Sequence, residues 1–138
     1  MKYLTQILFL LISFSVNSSE LPMLSDLSSL KWDNRIILVN DVQNEEHVVA
    51  VFEKNIIEIN DRDIVWLIIK GDHAFTNYPG TLSEDLLNNT RNRYKMGKGQ
   101  VILIGKDGGV KSRHDHLDLE AIFSEIDAMP MRQREMQY

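Results

Sequence analysis

Three short runs of almost uninterrupted apolar residues divide the chain, and between them apolar positions recur at helical spacing. Residues 35–40 (RIILVN), 64–69 (IVWLII) and 100–105 (QVILIG) have the length and branched composition of strands covered on both faces. Between the first two, Val48, Val51, Phe52, Asn55 and Ile59 form a stripe that predicts a helix over residues 43–58. Residues 70–80 contain Gly, Asp, Asn and Pro and read as a loop. Thr81-Leu82-Ser83-Glu84 has the form of a capping box, with Thr81 as N-cap. The helix it opens carries Leu82, Leu86, Leu87 and Tyr94, closes on the basic residues Arg91, Arg93 and Lys95, and is ended by Gly97 and Gly99.

After the third strand, Lys106-Asp107-Gly108-Gly109 is a tight-turn signal, and residues 110–113 supply its hairpin partner. Leu119, Ile122, Phe123 and Ile126 predict a last helix over residues 118–129. Pro130 stops or kinks it and begins a short terminal helix through Met136. Residues 20–34 form a lead-in, with Leu27, Leu30 and Trp32 placed to pack on the domain. The order is βαβαββα. Right-handed crossovers would make the first three strands parallel, with the hairpin adding an antiparallel edge. The predicted fold is therefore α/β: a mixed four-stranded sheet with helices on both faces, the minimal thioredoxin-like layout. A small flavodoxin-type sheet competes, but the closing hairpin followed by a helix argues against it.

The beginning of the chain reads differently. Lys2 supplies a positive start, residues 7–16 are an uncharged, mostly apolar run of ten, and Ser15, Ser18 and Ser19 follow as small residues. This is the pattern of a secretory signal peptide over residues 1–19, with residues 20–138 as one mature domain. A membrane-spanning helix needs roughly 20 apolar residues, so no stable span is expected once the signal is removed. Removing it leaves 14 basic residues against 20 acidic ones. An acidic exported domain is a poor binder of nucleic acid. The expected location is the periplasm or the cell exterior.

Cysteine is absent from all 138 residues. Thiol–disulfide exchange and thiol peroxidase chemistry both need a thiolate, so this chain can supply neither. Other chemistry must come from the loops beyond the carboxyl ends of the strands, where open α/β sheets hold their ligands. There Asp41, Asp72 and His73 are the candidates for a general base or metal site. The plain alternative is that they are ordinary loop residues, with Asp41 capping the first helix. His114 and His116 form an H-x-H pair that could chelate zinc or copper, with Asp115 and Asp118 nearby. A solvated connector explains the same residues, and His47 reads as an exposed helix residue. Met129, Met131 and Met136 fit packing better than soft-metal binding. GKDGG (residues 105–109) lacks the spacing of a phosphate loop and precedes a strand. No cofactor is predicted.

VILIGKDGGVKSR (residues 101–113), IDAMPMRQREM (residues 126–136) and Arg62-Asp63 resemble the DUDES-type domain of unknown function. That family occurs as exported bacterial proteins and as repeated modules in animal matrix proteins such as Equarin. The resemblance spans roughly residues 27–136 and implies a thioredoxin- or peroxiredoxin-like fold. Redox members of such folds place their thiols just after the first strand, here residues 40–44. They place a cis-proline before the third strand, here residues 96–100. Neither segment carries the redox residue. The expected function is therefore a non-redox module that binds a protein, an envelope component or matrix material. The alternative is a metal-dependent or general-base enzyme built on the Asp41, Asp72 and His73 loops.

Overall fold

The computed structural model of the protein describes residues 21–137. The predicted signal peptide lies outside the described residues. The elements run β1 (Arg35–Asn40), α1 (Glu45–Lys54), α2 (Ile56–Asp61), β2 (Ile64–Lys70), β3 (His73–Thr76), α3 (Leu86–Tyr94), β4 (Val101–Ile104), β5 (Val110–His114), α4 (Leu119–Asp127) and α5 (Pro130–Met136). Five strands form one sheet in the order β3-β2-β1-β4-β5.

The three apolar runs are the three central strands, and their alternation builds two cores. Ile36, Leu38, Val65, Leu67, Ile69, Ile102 and Ile104 face one side, where Leu24, Leu27, Leu30 and α3 cover them. Ile37, Val39, Ile64, Trp66, Ile68, Val101 and Leu103 face the other, under α1, α2 and α4. A strand buried on both faces has no polar register, which is why these runs are continuous. On the second face Phe52 of α1 stacks on Trp66 of β2, with ring centroids 4.7 Å apart and planes within 5°.

Strand direction differs from expectation. β1 and β2 are parallel, but β4 runs antiparallel to β1. The cause is β3, which lies in the stretch read as a loop. Gly71, with φ +60°, and Asp72 make a two-residue turn, and β3 pairs antiparallel with β2 from Lys70↔His73 to Leu67↔Thr76. That extra pass returns the chain to the amino end of β2, where the Asn77 side chain bonds the backbone of Trp66 and Ile64. α3 then carries the chain back up, so β4 has to descend. One unread strand thus reversed the parity of everything after it.

Helix boundaries show the same dependence on context. The predicted 43–58 helix is two helices broken at Asn55, whose Nδ2 donates to the Val51 carbonyl at 2.8 Å. The capping box does not form. Thr81–Ser83 is instead extended against Leu24, with Leu24 N donating to Thr81 O and Ser83 N to Leu24 O. α3 begins only after Asp85. The last helix does have its cap, Asp118 Oδ1 accepting from Ala121 N at 3.1 Å. Pro130 opens α5 as expected.

Leu27 and Leu30 are buried as the lead-in predicts, but Trp32 is 61% exposed. It holds a left-handed backbone, φ +73°, in a turn where its amide donates to Lys106 O at 2.7 Å. A bulky L-residue is disfavoured there by about 1 kcal/mol, so Trp32→Gly should raise stability by about that amount. Urea unfolding of the two proteins checks it, and an unchanged midpoint would show that the indole makes compensating contacts.

α5 is held to the amino end of the sheet by charge. Arg35, 1% exposed at the start of β1, gives Nη1 and Nη2 to the two Glu135 carboxylate oxygens at 3.1 and 3.2 Å. Lys106 Nζ bridges Glu135 and Asp63 at 2.9 Å each. Arg132, 4% exposed, donates to Asp61 Oδ2 at 2.6 Å and to Asp127 Oδ1 at 3.0 Å. Arg62 pairs with Asp127 at 2.8 Å and lies over the Phe123 ring. Burial alone would raise the Glu135 pKa, but its bonds from Arg35 and Lys106 outweigh that and lower it. Asp127 is lowered chiefly by its hydrogen bond from Arg62.

Candidate functional site

At the opposite end of the sheet, the carboxyl end of β1 meets the segment before β4. Asn40 closes β1 after the apolar residues Ile36–Val39 and is 6% exposed. Its amide donates to Gln100 O at 3.0 Å and its carbonyl accepts from Gly99 N at 2.6 Å. Its side-chain Nδ2 donates to Gly97 O at 3.1 Å, while its Oδ1 accepts from Arg91 Nε at 3.2 Å. The two segments that hold thiol and cis-proline in redox folds are thus stitched together by one asparagine. No cis peptide bond occurs among the described residues.

Asp41 follows with φ +53°, its amide donating to Ile69 O at 2.7 Å. It is not the helix cap: α1 is preceded by Asn44, which makes no side-chain cap bond. The Asp41 carboxylate lies 3.4 Å from Lys70 Nζ, which also donates to Val42 O at 2.8 Å. The left-handed turn directs the chain across the end of the sheet into α1.

Asp41 stands between two clefts. One, of about 440 Å³, lies at the amino end of α1 between residues 98–99 and 115–117. His47, His116, Asp115 and Lys98 contribute its polar wall, and Val42, Val48, Val51 and Leu117 its apolar one. The other, of about 490 Å³, is lined by Asp41, Asp72, Glu84, Asn88 and Arg91. Asp41 and Asp72 therefore share a cleft, whereas His73 stands on β3 with its ring 62% exposed, edge-on to Phe75 and 3.5 Å from the fully exposed Asp72 carboxylate.

The H-x-H pair divides. His114 Nε2 lies 3.0 Å from Ser112 Oγ and 3.8 Å from Glu125, while His116 lines the polar wall of the cleft beside α1. Among the described residues, no group of three or more His, Asp and Glu is arranged to hold a metal ion. No helix among them is long and apolar enough to cross a membrane.

Two contributors were overlooked at the level of sequence. His47 looks unremarkable until α1 is placed at the end of β1. Asn40 carried a readable signal, a lone amide following the four apolar residues Ile36–Val39, whose buried donors and acceptor had to be met. What the first cleft offers is two imidazoles, two carboxylates and an ammonium over an aliphatic floor. Such a surface can accept and donate hydrogen bonds to a ligand without any reactive thiol.

A family model for a domain of unknown function (DUF4174) matches residues 26–135. The chain belongs to that family. No curated protein sequence matches it significantly. Among solved structures, the DUF4174 domain is similar to the mitochondrial 2-Cys peroxiredoxin from Plasmodium falciparum, with a TM-score of 0.52 and 14% identity. The similarity covers 74% of this chain and 79% of the peroxiredoxin chain. At that identity the likeness establishes the fold, which is thioredoxin-like. The DUF4174 domain keeps this architecture with no cysteine to put in it.

Proposed function

We propose that this DUF4174 domain is an exported, non-redox binding module whose ligand occupies the cleft at the amino end of α1. The ligand is a protein segment or an envelope or extracellular component. One observation carries the reading: the edge that would bear redox residues is locked by Asn40, while the cleft beside it presents His47, His116, Asp115 and Lys98. A rigid rim with exposed, chemically mixed side chains favours recognition over covalent chemistry. The signal-like residues 1–19 support export.

Thermal unfolding against envelope glycan fragments, peptides and divalent metals tests it. A ligand at 100 times its Kd stabilises by about 2.7 kcal/mol. In a domain of this size the midpoint should rise by several degrees. Both His47 and His116 are exposed, so alanine at both should erase that rise and leave the unliganded midpoint nearly unchanged. A rise that survives both replacements places the ligand elsewhere. Turnover lost on Asp41→Asn or Asp72→Asn would favour the enzyme reading instead.

A further inference from the structure

A third cleft lies at the other end of β1, roughly 17 Å away along a six-residue strand. It has a volume of about 260 Å³ and sits between the β4–β5 turn and the start of α5. Its charged lining is Arg35, Lys106, Lys111 and Arg134 against Asp107 alone. Counting Asp63 and Glu135, which pair with Lys106 and Arg35, leaves four cations against three acids. Met129, Pro130 and Met131 make the apolar wall.

The cations here retain hydrogen-bonding capacity. Arg35 is 1% exposed, and its Nε has no acceptor. The Lys106 side chain is 9% exposed and uses two of its three N–H donors, on Asp63 and Glu135. Lys111 uses one, on Asp107. Among the described residues no acid pairs with Arg134. The Lys111 side chain lies across the turn against Gly105, where a methyl would push its flexible end aside. Residues 105–111 and 129–131 supply all of this lining except Arg35 and Arg134.

We infer that this cleft binds a small organic monocarboxylate, its carboxylate held by Lys106, Lys111 and Arg134 and its carbon chain against Met129 and Met131. A single surplus positive charge matches a monoanion, and the apolar wall favours an acid with a short alkyl body over a bare inorganic ion. The inference is independent of the proposed ligand at α1, since the two sites share no residue.

The test uses the purified protein with methyl-labelled methionine, titrated with butyrate, butyramide and inorganic phosphate at constant ionic strength. Butyrate should shift the Met129 and Met131 methyl signals saturably, leaving the methyl signal of Met96, which sits beside Asn40 at the opposite end of the sheet, in place. Lys111→Gln and Arg134→Gln, both at exposed positions, should each weaken butyrate by about fivefold, the upper range for one exposed charge contact. Absence of saturable shifts would overturn the site. So would butyramide binding as tightly as butyrate, or affinities unchanged in both variants. Phosphate binding as tightly as butyrate would overturn the carboxylate assignment.

Discussion

Replacing Glu135 by alanine should destabilise the domain by about 3 kcal/mol, the range for stripping one partner from a buried ion pair. In a domain of this length the unfolding midpoint should fall by about 10 °C. The substitution leaves Arg35, 1% exposed, with only the Arg62 carbonyl for its guanidinium, and removes one of the two acids on Lys106. Calorimetry of the variant checks this. A fall of only a degree or two would mean that α5 contributes little to the fold. Arg35→Met with Glu135→Leu removes both charges and should recover part of the loss, because an uncompensated buried charge costs more than an absent pair.

The same cluster sets the pH response. Glu135 and Asp127 titrate below the usual 4.5 and 3.8 in the folded protein. Their stabilisation is complete above the unfolded values and is lost as pH falls through the lowered folded ones. Lys106 runs the other way. Burial works against its charge, but the bonds to Glu135 and Asp63 prevail and raise its pKa above 10.5. Its contribution is present below 10.5 and is lost as pH rises through the raised value. Glu135→Ala should therefore flatten the stability profile below about pH 4.5, where the wild-type protein weakens.

The second large effect is expected at Phe52. Phe52→Ala should cost about 4 kcal/mol, combining lost burial, the cavity left behind and the broken ring stack. Phe52 is 1% exposed and lies flat against Trp66, so no neighbour can fill the space without leaving its own rotamer. Urea unfolding gives the size, and emission from Trp66 in a Trp32→Phe background gives the place. An unshifted Trp66 spectrum with a loss under about 1 kcal/mol would show that α1 repacks over the gap, as volume-tolerant cores can.

Much of this molecule was legible without coordinates. Short continuous runs such as RIILVN and IVWLII, rich in β-branched residues, fit strands covered on both faces, because each face carries apolar residues that must leave water. The stripe Leu119, Ile122, Phe123 and Ile126 specified α4 locally, and its Asp118 cap came with the structure. The absence of cysteine excluded thiol–disulfide and thiol peroxidase chemistry outright, since no packing can supply a thiol. The family segments were also visible as words in the sequence, though not what they do together.

What the tertiary structure decided concerns contacts between residues far apart in the chain. β3 was missed because HAFT is short and half exposed on an edge, even though Gly71-Asp72 is itself a hairpin signal. Missing it cost the direction of β4, for parity depends on every preceding pass. Thr81 and Glu84 form a sound capping pattern, yet pairing with Leu24 captured that backbone first. The convergence of Asp41, His47 and His116 on one cleft follows from where α1 begins and where the chain after β5 runs. Arg35 meets Glu135 across 100 positions of sequence, and nothing local to either residue announces the pair. Periodicity records which face of an element leaves water. Which charges then meet at the ends of those elements is settled only when the sheet and helices are packed.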